Sequence, residues 1–559
     1  MTAVTRLVRH NRARAFALVG VTLAFFLWQM AHLDGFRWDY DEGPHMMMAR
    51  LVRSGYRLYT EVYSARPPLL IHSIALAFAI SGASVQAARM IIVVYSTIGL
   101  LATGLLAREM GGYRAGLGAI VLLALSPDFF VYSRACMGDI PSMSMAVVAI
   151  FLALVHQRSG SKRWLALSGL AISLALLLTP LPLFVVPLLG LIVMLSEFDI
   201  GAQLSKRSLK LDDRWPTVAL DFIWLGMPLV LSCLCCLLIY DFGPIYDQLV
   251  GSLLQGRVAF PPDPLSNWQK SVAYLVLSNA GLSALAIYGL WVAFARRLTQ
   301  AVPMTAWLLL TALGLVSHSP LWDHLLTSWL FPLSILAGIA LDDIGRRLTA
   351  LARQGLDWSE ARPLAVGLAA ALVYLCNLPA MIRLDEQLLA APTSEAALDA
   401  VHFLEAATSP QDLVITDEQL IAFWARRDVP PPLTDTSFKR VMSGRLTSDQ
   451  LVALTQEYNP AAIVLWNRAF ALLPGYRAWI GDHYMLARDY GGRRCIYVRT
   501  CSAAEASVAG TGPDKKGKRE TRNAEKAEIP VPLPLDASST QNAIRGAPHR
   551  NRLAPWRNW

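Results

Sequence analysis

The stretch AFALVGVTLAFFLWQMAHL, residues 15–33, is an unbroken apolar run of 19 residues, and DGFRWDYDEGPH, residues 34–45, is the charged, aromatic stretch that follows it. At 1.5 Å per residue such a run is long enough to cross the hydrocarbon core of a bilayer as a helix. Arg6, Arg9, Arg12 and Arg14 precede it, as in a secretory signal, but no small-x-small cleavage site closes it. It therefore reads as an uncleaved first span. The two stretches together point to a membrane protein whose first helix delivers carboxylates to the membrane surface.

Similar runs recur along the chain. Beyond Ala15–Leu33 they fall at Ala87–Ala107, Ala115–Tyr132, Ile140–Val155, Trp164–Leu178, Leu181–Leu195, Thr217–Tyr240, Ser271–Phe294, Val302–Val316, Leu325–Leu341 and Leu364–Ile382, about eleven in all. The totals agree: of 559 residues only 16% are charged, against roughly 25% in soluble proteins. With the basic N-terminus inside, the inside loops hold Arg108 and Arg114; Arg158, Lys162 and Arg163; Lys206, Arg207, Lys210 and Arg214; Arg296 and Arg297; and Arg346, Arg347 and Arg353. Every inside loop is then basic, which the positive-inside rule requires. The same loops account for the net charge of +9, and no basic, aromatic-interleaved surface suggests nucleic acid. The segment Asp34–Arg66 breaks the pattern, being outside yet rich in both charges. Pro67–Ile80 is apolar but short, which suits an interfacial or re-entrant helix.

The expected architecture is an all-α polytopic membrane domain over 1–383, with its first extracytoplasmic loop over 34–85, and a small extracytoplasmic α/β domain over 390–501. In the latter, Glu395–Ala407 reads as an amphipathic helix and Leu413–Thr416, Ala461–Trp466 and Cys495–Val498 as short buried strands, with helical stretches between. The remainder, 502–559, is rich in Lys, Arg, Pro, Ala and Ser, cannot bury a core, and reads as disordered. The seven cysteines include no CxxC or Cys/His metal spacing. A Cys495–Cys501 bridge is open if that region is extracytoplasmic.

Four constellations could carry chemistry, and each has a plainer structural reading. Asp41 and Glu42, with His45, sit just past the first span; they are either a solvated loop or a general base poised at the membrane surface. Asp139 opens a span in Gly138-Asp139-Ile140-Pro141, where a carboxylate also favours a helix N-terminus electrostatically. Arg66, directly before Pro67-Pro68, could snorkel to the interface or hold a lipid phosphate; Arg89, opening the next span, could do either. His318, Asp323 and His324 lie together at the end of the ninth span. They could bind substrate or a divalent metal, but their spacing matches no standard ligand motif, and capping or interface anchoring serves as well.

In this order the pieces resemble the GT-C glycosyltransferases: an Asp-Glu after the first span, a basic-Pro-Pro-Leu step into a short helix, an Arg opening the next span, then an Asp-x-Pro loop. The nearest relatives are similar to the protein O-mannosyltransferase and aminoarabinose transferase group, glycosyltransferase family 39 in the broad sense. His318–Leu341 is also similar to late spans of that group, and the resemblance runs over Arg14–Ile382. It implies an enzyme that transfers a sugar, with inversion, from a polyprenyl-phosphate donor to a lipid, polysaccharide or protein acceptor on the extracytoplasmic face. Asp41 then matches the base, accompanied by Glu42; Asp139 the second loop acid, which orients acceptor or ligand or helps hold a metal. Arg66 and Arg89, with His324, fall on the donor-phosphate side; His45 and His318 are further substrate or metal candidates. The chain departs from the pattern at Thr179-Pro180, where relatives often carry a cation. Two other readings are a transporter, which would place ionisable groups in mid-span, and a non-catalytic envelope scaffold using the α/β domain. The acids cluster instead at span ends, which favours the enzyme.

Overall fold

A computed structural model describes residues 2–34, 41–198, 215–354, 358–390 and 394–499. Residues 35–40, the basic stretch 206–214, Cys501 and the 502–559 tail lie outside the described residues.

The membrane part runs through α1 (Thr2–Ala31), α2 (Glu42–Arg53), α3 (Pro68–Ser81), α4 (Val85–Gly111), α5 (Tyr113–Ala124), α6 (Pro127–Tyr132), α7 (Asp139–Ser159), α8 (Lys162–Leu178), α9 (Val185–Phe198) and α10 (Trp215–Ile239). It continues through α11 (Phe242–Tyr246), α12 (Ser252–Ala259), α13 (Pro264–Ala273), α14 (Ala280–Ala295), α15 (Ala301–Val316), α16 (Leu330–Gln354) and α17 (Trp358–Ala390). Among the described residues, five helices are long and apolar enough to cross a membrane, six with one bent pair, and five shorter apolar helices accompany them. Side chains such as Leu238, Ile287 and Leu309 are largely exposed, an outer surface suited to lipid rather than water. The chain is an integral membrane protein.

Two stretches expected as single spans are broken. Ala115–Tyr132 divides into α5 and α6 at Leu125–Ser126, where Pro127 takes the first helical position of α6 and so restarts rather than continues the helix. Ser271–Phe294 bends by 97° between Pro264–Ser278 and Ala280–Ala295. Asn279, at φ −125° and ψ 31°, is non-helical there, and its side-chain amide donates to the Tyr274 carbonyl at 3.4 Å. A polar group that satisfies the freed backbone makes such a break tolerable in a bilayer. Elsewhere the helices approach closely: a Cβ on Gly289 would collide with the Leu336 carbonyl, so only glycine lets α14 meet α16.

The basic loop ends meet at one end of the bundle. Arg346 donates to the Gly111 carbonyl at 3.2 Å, Arg158 pairs with Glu109, and Arg296 bridges Asp342 and Asp343. At the other end lie the C-terminal elements α18 (Glu395–Ala407), β1 (Val414–Thr416), α19 (Gln419–Trp424), α20 (Phe438–Met442), α21 (Ser448–Tyr458), β2 (Ala462–Leu465), α22 (Pro474–His483), β3 (Tyr484–Asp489) and β4 (Cys495–Arg499), of which α18, β1, α19, β2 and β4 share a core with α2 and α3. The sheet has order β1-β2-β4-β3, with β1 and β2 parallel and the other pairs antiparallel. One apolar core joins the first loop to this sheet: Met46, Met47 and Phe78 pack with Val401, Leu420 and Phe423. A Cβ on Gly43 would stand 2.5 Å from the Leu420 backbone nitrogen, so α2 and α19 touch backbone to backbone.

Candidate active site

The candidate site lies where α2, the Arg66 segment, the N-terminus of α7 and the end of α8 converge. Asp41, His45, Arg66, Met137, Gly138, Asp139 and Thr179 line one small cleft there. Residues far apart in sequence meet because α1 ends, and α4 and α7 begin, at the same end of the bundle.

Glu42 fixes this geometry from below. It is fully buried; its Oε1 accepts from Arg89 Nε at 2.8 Å and its Oε2 from Arg89 Nη2 at 2.7 Å. Oε1 also accepts from the Cys136 backbone N–H at 2.9 Å. Arg89 is 1% exposed, and its Nη1 donates to the Leu33 carbonyl at 2.6 Å. The planar fork of arginine matches a carboxylate bidentately, so α1, α2, α4 and the loop before α7 are tied at one point. The resemblance put Arg89 on the donor-phosphate side; in the structure its guanidinium donates to Glu42.

Asp41 directly precedes α2, and its carboxylate is partly exposed, with Arg66 Nη2 at 3.9 Å from Oδ2. The Arg66 backbone is held by Tyr59, whose hydroxyl donates to its carbonyl at 2.8 Å, and by Ser64. Pro67 and Pro68 then fix the exit into α3. His45 is buried one turn into α2, with Nδ1 at 2.9 Å from the Cys136 carbonyl. Burial holds its basicity below the ordinary histidine value, helped by the charge of Arg66 and opposed by Asp41.

Asp139, the first residue of α7, faces the same cleft, with His324 Nε2 3.6 Å from its Oδ2. The His324 ring also meets the Tyr132 ring edge-on at 6.2 Å. His318 sits on the loop after α15; its imidazole is pushed down to about 4 by burial, then by Lys439, with His324 and Arg66 adding and Asp139 opposing. Thus Asp41, His45, Arg66 and Asp139 line one cleft, His324 lies against Asp139, and Glu42 and Arg89 are paired with each other beside them. Asp323 begins the short helix Asp323–Trp329. Among the described residues no three His, Cys, Asp or Glu side chains are grouped closely enough to hold a metal ion.

Residues 65–236 match the family model for dolichyl-phosphate-mannose-protein mannosyltransferase, a segment that includes Arg66, Arg89 and Asp139. Among solved structures the chain is similar to ArnT from Cupriavidus metallidurans bound to undecaprenyl phosphate, with 15% identity, TM-score 0.57, and coverage of 87% of this chain and 98% of that one. The apo form of the same ArnT matches at 15% identity and TM-score 0.56, over 90% and 100%. The oligosaccharyltransferase AglB from Archaeoglobus fulgidus, in complex with an inhibitory peptide and a dolichol-phosphate, matches at 14% identity and TM-score 0.49, over 87% and 75%. No sequence among curated proteins matches. The fold is GT-C-like, similar to that of ArnT, and residues 65–236 are similar to the mannosyltransferase family. That match agrees with the resemblance to family 39 carried by the ordered motifs.

Proposed function

We propose that the chain transfers a sugar from a polyprenyl-phosphate donor to a hydroxyl acceptor on the extracytoplasmic face, with inversion. The carrying observation is the juxtaposition of a carboxylate and an unburied guanidinium, Asp41 and Arg66, in one cleft at the bundle end opposite the basic loops. The positive-inside rule makes that end extracytoplasmic. The ArnT to which the chain is similar holds undecaprenyl phosphate, a ligand of the chemistry Arg66 suits.

In this reading Asp41 accepts the proton of the acceptor hydroxyl as the oxygen attacks the anomeric carbon. The bond from that carbon to the phosphate oxygen breaks on the opposite face. Its electron pair stays on the phosphate, where Arg66 stabilises the added charge. Asp139 and His324 face the same cleft and orient the acceptor; His45 and His318, held neutral near pH 7, offer hydrogen bonds without adding charge. Glu42 and Arg89 act indirectly, fixing the first turn of α2 and therefore Asp41.

The test is sugar transfer by the full chain in proteoliposomes against a panel of polyprenyl-phosphate sugars. Transfer that is lost in Asp41→Asn with retained folding supports the reading. Solute uptake with no transfer from any donor would favour a transporter and overturn it.

A further inference from the structure

We propose that Gln248 is a positioning residue for the donor phosphate: its side-chain amide clamps the loop segment that carries Arg66 and so sets where the guanidinium stands in the cleft. The proposal rests on the reading of Arg66 given above.

The segment Arg57–Arg66 lies outside the helices and the sheet. It doubles back on itself: the Glu61 and Val62 N–H groups both donate to the Arg57 carbonyl at 3.0 Å, and the Tyr59 N–H donates to the Val62 carbonyl at 2.8 Å. Tyr59, at the bend, has φ 69°. That left-handed conformation is unfavourable for a bulky side chain and persists only where neighbouring contacts enforce it. The Tyr59 ring is buried, and its hydroxyl turns back onto the Arg66 carbonyl at 2.8 Å. Ser64 holds the same residue, donating from Oγ to the Arg66 carbonyl at 3.1 Å and accepting from the Arg66 N–H at 3.2 Å. Tyr59 and Ser64 therefore set the position of Arg66.

Gln248 joins those two residues. It lies in the π-helical turn Asp247–Gly251 between α11 and α12. Its Nε2 donates to the Tyr59 carbonyl at 2.6 Å, and its Oε1 accepts from the Ser64 N–H at 2.8 Å. A primary amide carries donor and acceptor side by side on one plane, so it pairs with both backbone groups at once, as an adjacent strand would. Glutamate lacks the donor and lysine the acceptor. The surroundings hold the clamp in turn. Tyr63, between the two contact points, meets Ser252 Oγ of α12 through its hydroxyl at 3.0 Å, and the Arg440 guanidinium lies 3.5 Å from the centre of its ring. Tyr240, just past α10, meets the Tyr59 ring edge-on at 5.1 Å and bonds His72 of α3 at 2.6 Å. Asp247 pairs with Arg445 at 2.7 Å and 2.9 Å. The segment is thus ordered before any lipid arrives, which lowers the ordering cost of binding.

The experiment measures undecaprenyl phosphate binding to the full-length protein in nanodiscs, for wild type, Gln248→Met, Gln248→Glu and Arg66→Ala, and for each Gln248 change combined with Arg66→Ala, with Tm recorded throughout. Methionine keeps the length and removes both hydrogen bonds; glutamate keeps the acceptor for Ser64 and sets a carboxylate against the Tyr59 carbonyl. Release of the clamp predicts binding about tenfold weaker in each Gln248 variant. In the Arg66→Ala background the same changes are expected to add no further loss, because effects that act through one contact are not additive. A role in folding alone would give equal losses in both backgrounds, and that result would overturn the proposal. Wild-type affinity in both Gln248 variants, with Arg66→Ala weakened, would also overturn it and leave the proposed reaction standing. Loss of the fold in both variants would overturn it as well, making Gln248 a structural residue. Wild-type affinity in Arg66→Ala, or no binding of the lipid by wild type, would overturn the donor reading and the proposal with it.

Discussion

Glu42→Gln is expected to destabilise the protein strongly although it touches no substrate. The change keeps the shape of the side chain but removes the charge facing Arg89. Three hydrogen bonds end on the Glu42 carboxylate, at 2.7 Å, 2.8 Å and 2.9 Å, and both partners are essentially inaccessible, at 0% and 1% exposure. Removing one partner of a buried pair leaves the other charge uncompensated, at a cost of about 3–5 kcal/mol. For a chain of this size that predicts a fall in Tm of roughly 5–10 °C. Thermal unfolding in detergent, followed by tryptophan fluorescence, measures it. A double variant Glu42→Gln, Arg89→Met removes the orphaned charge and is expected to recover part of the loss, with a coupling of about 1–3 kcal/mol. Wild-type Tm in Glu42→Gln would refute the view that this pair holds the first turn of α2, and so Asp41, in place.

Three further outcomes follow from the same geometry. Gly43→Ala, whose new methyl would press on the α19 backbone, is expected to cost about 1–3 kcal/mol and to depress transfer by shifting Asp41; its Tm and its rate check this together. For His318 the folded value lies at about 4, below the ordinary value near 6.5, so the unfolded chain binds the extra proton in that window. Stability therefore rises with pH between about 4 and 6.5, and His318→Gln should flatten the fall in Tm on acidification across that range. Arg445→Gln breaks a pair whose Asp247 partner is 64% exposed, so its Tm should stay within about 2 °C of wild type.

The longest membrane helices were legible in the sequence because their apolar runs exceed what a soluble core helix needs; of the about eleven runs expected as spans, five described helices, six with one bent pair, are long enough to cross, and others form shorter apolar helices. The breaks at Ser126 and Asn279 were not legible, since a single Ser-Pro or Asn within an apolar run leaves the hydropathy almost unchanged. In the α/β part, Val414–Thr416, Ala462–Leu465 and Cys495–Arg499 stood out because they are buried, apolar strands. The edge strand Tyr484–Asp489 did not: most of its side chains are exposed, so no alternation marks it.

The cleft was partly readable. Asp41, Arg66 and Asp139 announced themselves by sitting at span ends, where charge is conspicuous. Glu42 and Arg89 carried the same signal, yet they turn out to pair with each other; adjacent acids in a loop do not reveal which one points inward.

The most direct test of the central claim is the rate of sugar transfer from polyprenyl-phosphate donors in proteoliposomes, wild type beside Asp41→Asn, both shown to be folded by their Tm. The account predicts transfer by wild type and a loss of at least about 100-fold in Asp41→Asn. Equal rates in the two proteins would contradict Asp41 as the base, and no transfer by wild type from any donor, with no lipid-phosphate binding, would contradict the account as a whole.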